Sequence, residues 1–319
     1  MWAYRLEGPL RFARHEIDAP DPASLRPGGV LLRFLAGGIC GSDVPRCWDG
    51  SGGGEGSAPF GFSLHEIVGE VVASESDLQV GERVVGWVDG SEGLREYVVT
   101  PANMVLPIDS DLDDVHAIPL QPLACVLYAL SRLPDIRGAR AAVIGLGPIG
   151  LLFAHALKDG GAAHVHGVDV VDRSEVASTY GLDDFTQHTS RTWSHTPGLR
   201  DSFDLVVEAV GHQVGTLDDG ITAAAPGGTI VYFGNPDELY YPIRFGEMMD
   251  KHLTLQTGRT PVGERRDALR LAQKYVARYP DLPGEYVTDA LPVSAAQAAY
   301  ETASRPARGR LKVVIDGTA

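Results

Sequence analysis

The sequence predicts a two-domain α/β protein whose middle is a doubly wound parallel sheet. Three observations carry that expectation. The first 110 or so residues read as short strands between turns, the middle alternates strands with helical segments, and a glycine-rich loop joins the first strand of that alternation to its helix. At 319 residues the chain is too long for one ordinary core and suits two domains of about 100–200 residues each.

The N-terminal strands run over Val30–Ala36, Ile67–Ala73, Glu82–Val88 and Arg95–Val99, rich in Val, Leu and aromatics and bounded by Gly, Pro and Asp. Between them Ser51–Ser57 reads as a solvated glycine-rich loop. From His116 to Leu130 apolar residues recur at three- and four-residue spacing, predicting one bridging helix. The alternation then predicts a strand over Ala141–Ile144, a helix from Ile149, a strand over Val165–Val168 and a helix near Glu175. A strand over Leu205–Glu208, a helix over Thr216–Ala224, and strands over Thr229–Phe233 and Leu253–Gln256 follow. The tail predicts helices over Glu264–Tyr279 and Ser294–Ser304, the second capped by Ser294, and a closing strand Leu311–Ile315 that returns to the first domain.

Composition restricts function. With 42 acidic and 27 basic residues the net charge is -15, which repels nucleic acid and anionic membranes, and no basic cluster overrides it. The uncharged run Ala141–Leu157 falls short of the ~20 apolar residues of a membrane span. A charged N-terminus offers no apolar export segment, so a cytoplasmic location is expected. Three cysteines, Cys40, Cys47 and Cys125, do not suggest a disulfide framework and leave metal binding or burial open.

The loop Gly145-Leu-Gly-Pro-Ile-Gly150 fits the dinucleotide fingerprint. Gly145 allows a tight turn, Gly147 lets the backbone approach a pyrophosphate, and Gly150 lets the helix opened by Pro148 and Ile149 pack on the strand. Asp169, nineteen residues after Gly150, stands where an acid would bond the adenosine ribose. Its charge favours NAD over NADP, with Arg173 the residue that could instead meet a 2′-phosphate. The segments Glu208-Ala-Val210-Gly211 and Phe233-Gly234 follow later strands on the edge where such sheets hold ligands, and are assigned to the nicotinamide half. As single glycines, Gly211 and Gly234 read equally well as turn residues. Cys40 after a strand and His65 after the glycine-rich loop offer the sulfur and nitrogen donors that zinc prefers.

These pieces, with Gly38-Ile-Cys-Gly-Ser-Asp43, His65-Glu-Ile-Val-Gly69, Val80-Gly-Glu-Arg-Val84, Gln121-Pro-Leu-Ala124 and Gly309-Arg-Leu-Lys-Val-Val314, run in one order over nearly the whole chain. In this the chain resembles the zinc-dependent alcohol, polyol and sugar dehydrogenases of the medium-chain dehydrogenase/reductase superfamily. The resemblance implies a GroES-like β domain formed by both chain ends (1–122 and 259–319), a Rossmann domain (123–258), and an active site in the cleft between them. It implies Cys40, His65 and Gln121 as ligands of one catalytic Zn²⁺, with Glu66 beside them as an alternate ligand. Ser42 would accept the proton of a secondary alcohol while hydride passes to NAD, although Ser42 also suits a helix N-cap. A homo-oligomer is expected, with Thr229–Phe233 as a candidate edge strand.

Three departures stand out. Gln121 replaces a more common acid or cysteine, which leaves the ligand set one charge more positive. The four-cysteine lobe of a structural zinc is missing, since Trp87-Val-Asp-Gly90 passes almost directly to Leu94-Arg-Glu-Tyr97. Pro45 stands where a relay histidine often ends the proton path. A polyol, sugar or cyclitol is favoured as substrate. The rival readings are a zinc-free NADPH-dependent enone, quinone or carbonyl reductase, and a non-catalytic nucleotide-binding protein on the same scaffold.

Overall fold

The computed structural model describes residues 1–48, 58–109 and 111–318, so the Ser51–Ser57 stretch lies outside the described residues. The chain divides into two compact units. One comprises Met1–Cys125, Thr260–Pro306 and Arg310–Ala319; the other comprises Val126–Arg259 with Ala307–Gly309.

The first unit is built on a seven-stranded sheet. In spatial order its strands are Val287–Pro292, Lys312–Asp316, Gly29–Ile39, Glu66–Ser74, Arg83–Trp87 and Val105–Pro107, with Tyr97–Pro101 also paired to Gly29–Ile39. The closing strand pairs antiparallel to Gly29–Ile39, Val313 opposite Ile39, so a segment from the far end of the chain completes the sheet that the N-terminal strands begin. Alternate side chains of Val30, Leu32 and Phe34 enter the core with Ile67, Val71, Val84, Val313 and Ile315. Tyr300, fully buried on the helix Ala296–Ala303, donates to the Ser63 carbonyl at 3.0 Å and fixes that helix to the loop before the Glu66–Ser74 strand.

The second unit is a six-stranded parallel sheet in the order Asp184–Gln187, His164–Asp169, Arg140–Ile144, Phe203–Glu208, Ala224–Tyr232 and Thr254–Thr257. This is the doubly wound order with a reversal between Arg140–Ile144 and Phe203–Glu208, the place where such sheets receive ligands at their carboxyl ends. Its apolar runs (Ala142, Ile144, Val206, Ile230) are buried, as expected of strands covered on both faces. Among the described residues no helix is long and apolar enough to cross a membrane.

Four local expectations differ from the structure. The bridging segment is not one helix: Asp114–Ala117 is capped by Asp113, and a second helix, Leu120–Ser131, starts after Pro119. Proline cannot continue the first helix because it lacks the N–H and crowds the preceding turn. No helix forms near Glu175. The Asp172 carboxylate instead accepts the Ser174 N–H at 2.9 Å, Gly181 adopts φ +71°, and the chain reaches an additional strand, Asp184–Gln187. Ser294 caps nothing. It lies inside a 3₁₀ turn, Val293–Ala295, and the helix Ala296–Ala303 begins on Ala295 without a side-chain cap. Finally, the strand containing Thr229–Tyr232 is interior, flanked by Phe203–Glu208 and by Thr254–Thr257, so the latter is the outer strand on that side.

Candidate active site

In the first unit the Cys40–Asp43 segment is a tight turn at the end of the Gly29–Ile39 strand. Asp43 N–H donates to the Cys40 carbonyl at 3.0 Å and Cys40 N–H donates back to Asp43 Oδ2 at 3.0 Å. The other carboxylate oxygen, Oδ1, lies 2.9 Å from His65 Nδ1. With Nδ1 held as donor to an acid, the lone pair of the neutral ring is on Nε2, the tautomer a metal ligand requires. Burial opposes a charged ring here. The Asp43 carboxylate outweighs it, with help from Cys40, and holds the His65 pKa well above its ordinary value.

The Cys40, His65 and Glu66 donor atoms lie within 4.8 Å of one another. A thiolate, an imidazole and a carboxylate gathered so closely fit a zinc site in donor chemistry and spacing. Glu66, however, has a partner of its own. Lys312 Nζ donates to Glu66 Oε1 at 2.7 Å and to the Ile39 carbonyl at 3.0 Å, and lies 2.6 Å from Oε2. Both side chains are almost fully buried, 1% and 3% exposed.

This pair spans the sheet because Gly38 stands between its members. Glu66 is opposite Gly38 on the neighbouring strand, and the strand beyond carries Lys312. A Cβ on Gly38 would come 2.3 Å from Glu66 Oε2 and 2.9 Å from Lys312 Cε. The glycine is therefore a gap in the row of side chains through which the carboxylate reaches the ammonium.

Gln121 sits in the first turn of the helix that restarts after Pro119, buried at 3% exposure. Its amide nitrogen donates to Cys125 Sγ, one turn later, at 3.5 Å. The amide oxygen is left as the group available to a metal. Burial pushes the Cys125 thiol up to about 11, so it is present as SH. Ser42 is half-buried in the Cys40–Asp43 turn. Cys47 is fully buried with its sulfur 3.1 Å from Ser63 Oγ, and Trp48 is largely exposed.

In the second unit the glycine loop has the geometry its residues suggest. Gly145 has φ +87°, and a Cβ on Gly150 would lie 1.8 Å from the Gly145 carbonyl, so the helix Pro148–Asp159 starts in contact with the turn. A Cβ on Gly147 would meet nothing within 4 Å, and no side chain caps the helix whose N-cap it is. That uncapped N-terminus, with Pro148 and Ile149 opening it, is suited to a pyrophosphate. Asp169 ends its strand beside the loop: Oδ2 accepts the Leu146 N–H at 2.6 Å and Oδ1 the Val171 N–H at 2.8 Å. Arg173 is buried and donates to the Ala307 carbonyl at 3.0 Å. Burial lowers its pKa, opposed by the Asp169 charge.

The last two loops hold each other. Glu208 Oε1 accepts the Val210 and Gly211 N–H groups at 3.1 Å each, and the Phe233 and Gly234 N–H groups donate to the Glu208 carbonyl. Gly211 has φ +62°, and a Cβ on Gly234 would lie 2.2 Å from Gly211 N, so both glycines are required by close backbone approach. Burial raises the Glu208 pKa. Phe233 sets its ring edge-on to Phe153 at 4.9 Å. Sequence reasoning missed Asp43, Lys312 and the role of Gly38. The signal for Asp43 was present in its spacing from Cys40, whereas Lys312 lies 246 residues from Glu66 and only the fold unites them.

Both units match known protein families. Residues 26–110 match the alcohol dehydrogenase GroES-like domain and residues 148–274 the zinc-binding dehydrogenase domain. L-threonine 3-dehydrogenase of Streptomyces avermitilis is 28% identical over 278 residues, covering 75% of this chain and 79% of that protein. D-arabinitol dehydrogenase 1 of Uromyces fabae is 27% identical over 279 residues, covering 73% and 75%. In fold, the alcohol dehydrogenase TADH from Thermus sp. ATN1 superposes with a TM-score of 0.83 over 99% of both chains at 24% identity.

Proposed function

The chain belongs to the zinc-dependent medium-chain dehydrogenase superfamily, and from that premise we propose that it oxidises a secondary alcohol of polyol or sugar type, or reduces the matching ketone, with NAD at one zinc. The observation that carries the reading is the convergence of Cys40, His65 and Glu66 within 4.8 Å, with His65 oriented by Asp43. Cys40 Sγ, His65 Nε2 and Gln121 Oε1 would hold the metal. When bound, zinc supplies the Lewis acidity that eases loss of the alcohol proton, and nicotinamide accepts the hydride.

The chain's own residues do the rest. Asp43 keeps His65 in the ligating tautomer and ties the Cys40 turn to it, so two donors are placed by one carboxylate. Ser42, in the same turn, receives the hydroxyl proton and passes it on. Lys312 holds Glu66 as half of a neutral pair, so the acid adds little net negative charge to the one thiolate and two neutral ligands. In the second unit the Gly147 helix start receives the pyrophosphate and Asp169 the ribose. Arg173, engaged with Ala307, is committed within its own unit, which supports NAD over NADP. The relatives named for threonine and arabinitol support a polar hydroxylated substrate.

The experiment is a screen of polyols, sugars and cyclitols with NAD⁺ and NADP⁺, following reduced cofactor, with and without chelator. Chelator-sensitive turnover that prefers NAD⁺ is the expected result. Chelator-insensitive reduction of enones or quinones with NADPH would replace this reading with a zinc-free reductase. Binding of NADH without turnover across the panel would replace it with a nucleotide-binding protein.

A further inference from the structure

Arg265 opens the helix Arg265–Arg278, and its guanidinium lies over the Trp87 ring, 4.9 Å from the centroid. Trp87 ends the Arg83–Trp87 strand directly opposite Glu66 in the antiparallel pairing, so the two side chains leave the sheet on the same face. Glu66 is one of the three clustered donors. The stack therefore sets a cation on the face of the sheet that carries Glu66, and every residue involved belongs to the first unit. A second route reaches the same place. The Cys125 thiol, one turn after Gln121, lies within electrostatic reach of Glu66, Cys40 and His65, and Arg265 within reach of Cys125.

Among the described residues Arg265 has no counter-ion. Its Nε is shielded from solvent yet has no hydrogen-bond partner among the described residues. Asp89, whose charge opposes the lowering of the Arg265 pKa by burial, does not close an ion pair with it among the described residues. The same helix shows the contrast: Arg266 pairs with Asp77 at 2.8 Å, and Arg270 with Asp267. Thr260, 7% exposed, has a hydroxyl without a hydrogen-bond partner among the described residues. A guanidinium already oriented on an indole loses little further freedom on binding and offers a planar pair of N–H groups to an oxyanion. In a chain of net charge -15, an arginine without a carboxylate partner among the described residues is suited to an anion from outside the protein.

We propose that Arg265, stacked on Trp87, is an oxyanion subsite that takes the carboxylate or phosphate of the alcohol substrate. The substrate class is then an anionic hydroxy compound, a sugar acid or a polyol phosphate, in preference to a neutral polyol. The inference deepens the dehydrogenase reading and rests on it.

The test compares D-gluconate, D-glucitol 6-phosphate and D-glucitol as substrates of the zinc-loaded protein with NAD⁺, for the native chain and for Arg265→Gln and Arg265→Lys. The native chain should favour at least one anion over glucitol. Arg265→Gln should remove that preference through KM, by about 10- to 100-fold, the worth of one charge-assisted hydrogen bond or two. Glucitol kinetics should stay within about threefold, well inside the effect of one such bond. Gluconate against the phosphate ester tells carboxylate from phosphate, and Arg265→Lys, a point charge without the planar fork, should retain more of the phosphate preference than of the carboxylate preference. Equal use of all three compounds by the native chain, or an equal loss on all three in Arg265→Gln, overturns the subsite. If Arg265→Gln does not fold, Arg265→Lys carries the comparison. If none of the three is turned over, the dehydrogenase reading is what is in question, and calorimetric titration of the NADH-saturated protein with the two anions decides the subsite: Arg265-dependent binding supports it, and its absence refutes it.

Discussion

Replacing Lys312 with Met tests how the site is held. Lys312 and Glu66 are 3% and 1% exposed and their charged atoms are 2.6–2.7 Å apart, so removing the ammonium leaves a carboxylate buried without its counter-ion. The Ile39 carbonyl loses its donor in the same change. Breaking a buried pair from one side costs about 3–5 kcal/mol, whereas replacing both charges by neutral groups of similar shape costs much less. For a protein of this size each kcal/mol is worth roughly 2–4 °C, so Lys312→Met should lower the melting temperature of the first unit by about 6–20 °C. Lys312→Met with Glu66→Gln should recover most of that loss. The assay is differential scanning calorimetry of the four members of the cycle, all metal-free so that zinc linkage does not enter the comparison. A single variant within about 1 kcal/mol of the native chain, or a double variant no more stable than Lys312→Met, would show that the buried pair does not hold the site.

Three further outcomes are expected. Asp43→Asn keeps the shape but turns one donor toward Cys40 N–H or His65 Nδ1, each of which now donates to a carboxylate oxygen; zinc affinity, measured by competition with a chelating dye, should fall about 10- to 100-fold. Asp169→Ala leaves the Leu146 and Val171 N–H groups without their acceptor and removes the charge that repels a 2′-phosphate, so the ratio of kcat/KM for NAD⁺ to that for NADP⁺ should fall at least tenfold; an unchanged ratio would take Asp169 out of cofactor choice. Gly150→Ala places a methyl group 1.8 Å from the Gly145 carbonyl, a backbone atom that cannot yield, and should abolish NADH binding in a fluorescence titration while Gly147→Ala, which meets no protein atom, leaves the apoprotein melting temperature unchanged.

Much of this molecule is legible in its residues because the informative signals are local. Gly145, Gly147 and Gly150 are set by one turn and one helix start, and Asp169 by the length of a single strand and helix, so spacing alone leads to them. The same holds for the alternation that builds the parallel sheet. Where sequence reasoning went astray, short polar side chains or a proline competed with a regular pattern. The segment at Glu175 has helical composition, but the Asp172 carboxylate claims the Ser174 N–H and the segment closes as turns. The apolar periodicity from His116 to Leu130 is unbroken, yet Pro119 divides it and so puts Gln121 at the start of a new helix. Strand order is a further step removed: that Thr229–Tyr232 is interior depends on Thr254–Thr257 pairing beside it, which neither segment records alone. The Glu66–Lys312 pair and the Arg265–Trp87 stack are the least legible of all, since each joins segments far apart in the chain.

Under the proposed function, Cys40, His65 and Gln121 hold one zinc that the reaction needs. The direct measurement is metal content by mass spectrometry alongside turnover, before and after dialysis against a chelator and again after zinc is returned. The expected result is one zinc per chain, loss of metal and activity together, and recovery of both on adding zinc, with Cys40→Ser and Gln121→Ala each binding zinc more weakly than the native chain. A metal-free protein that turns over its alcohol at the same rate as the zinc-loaded one would contradict it.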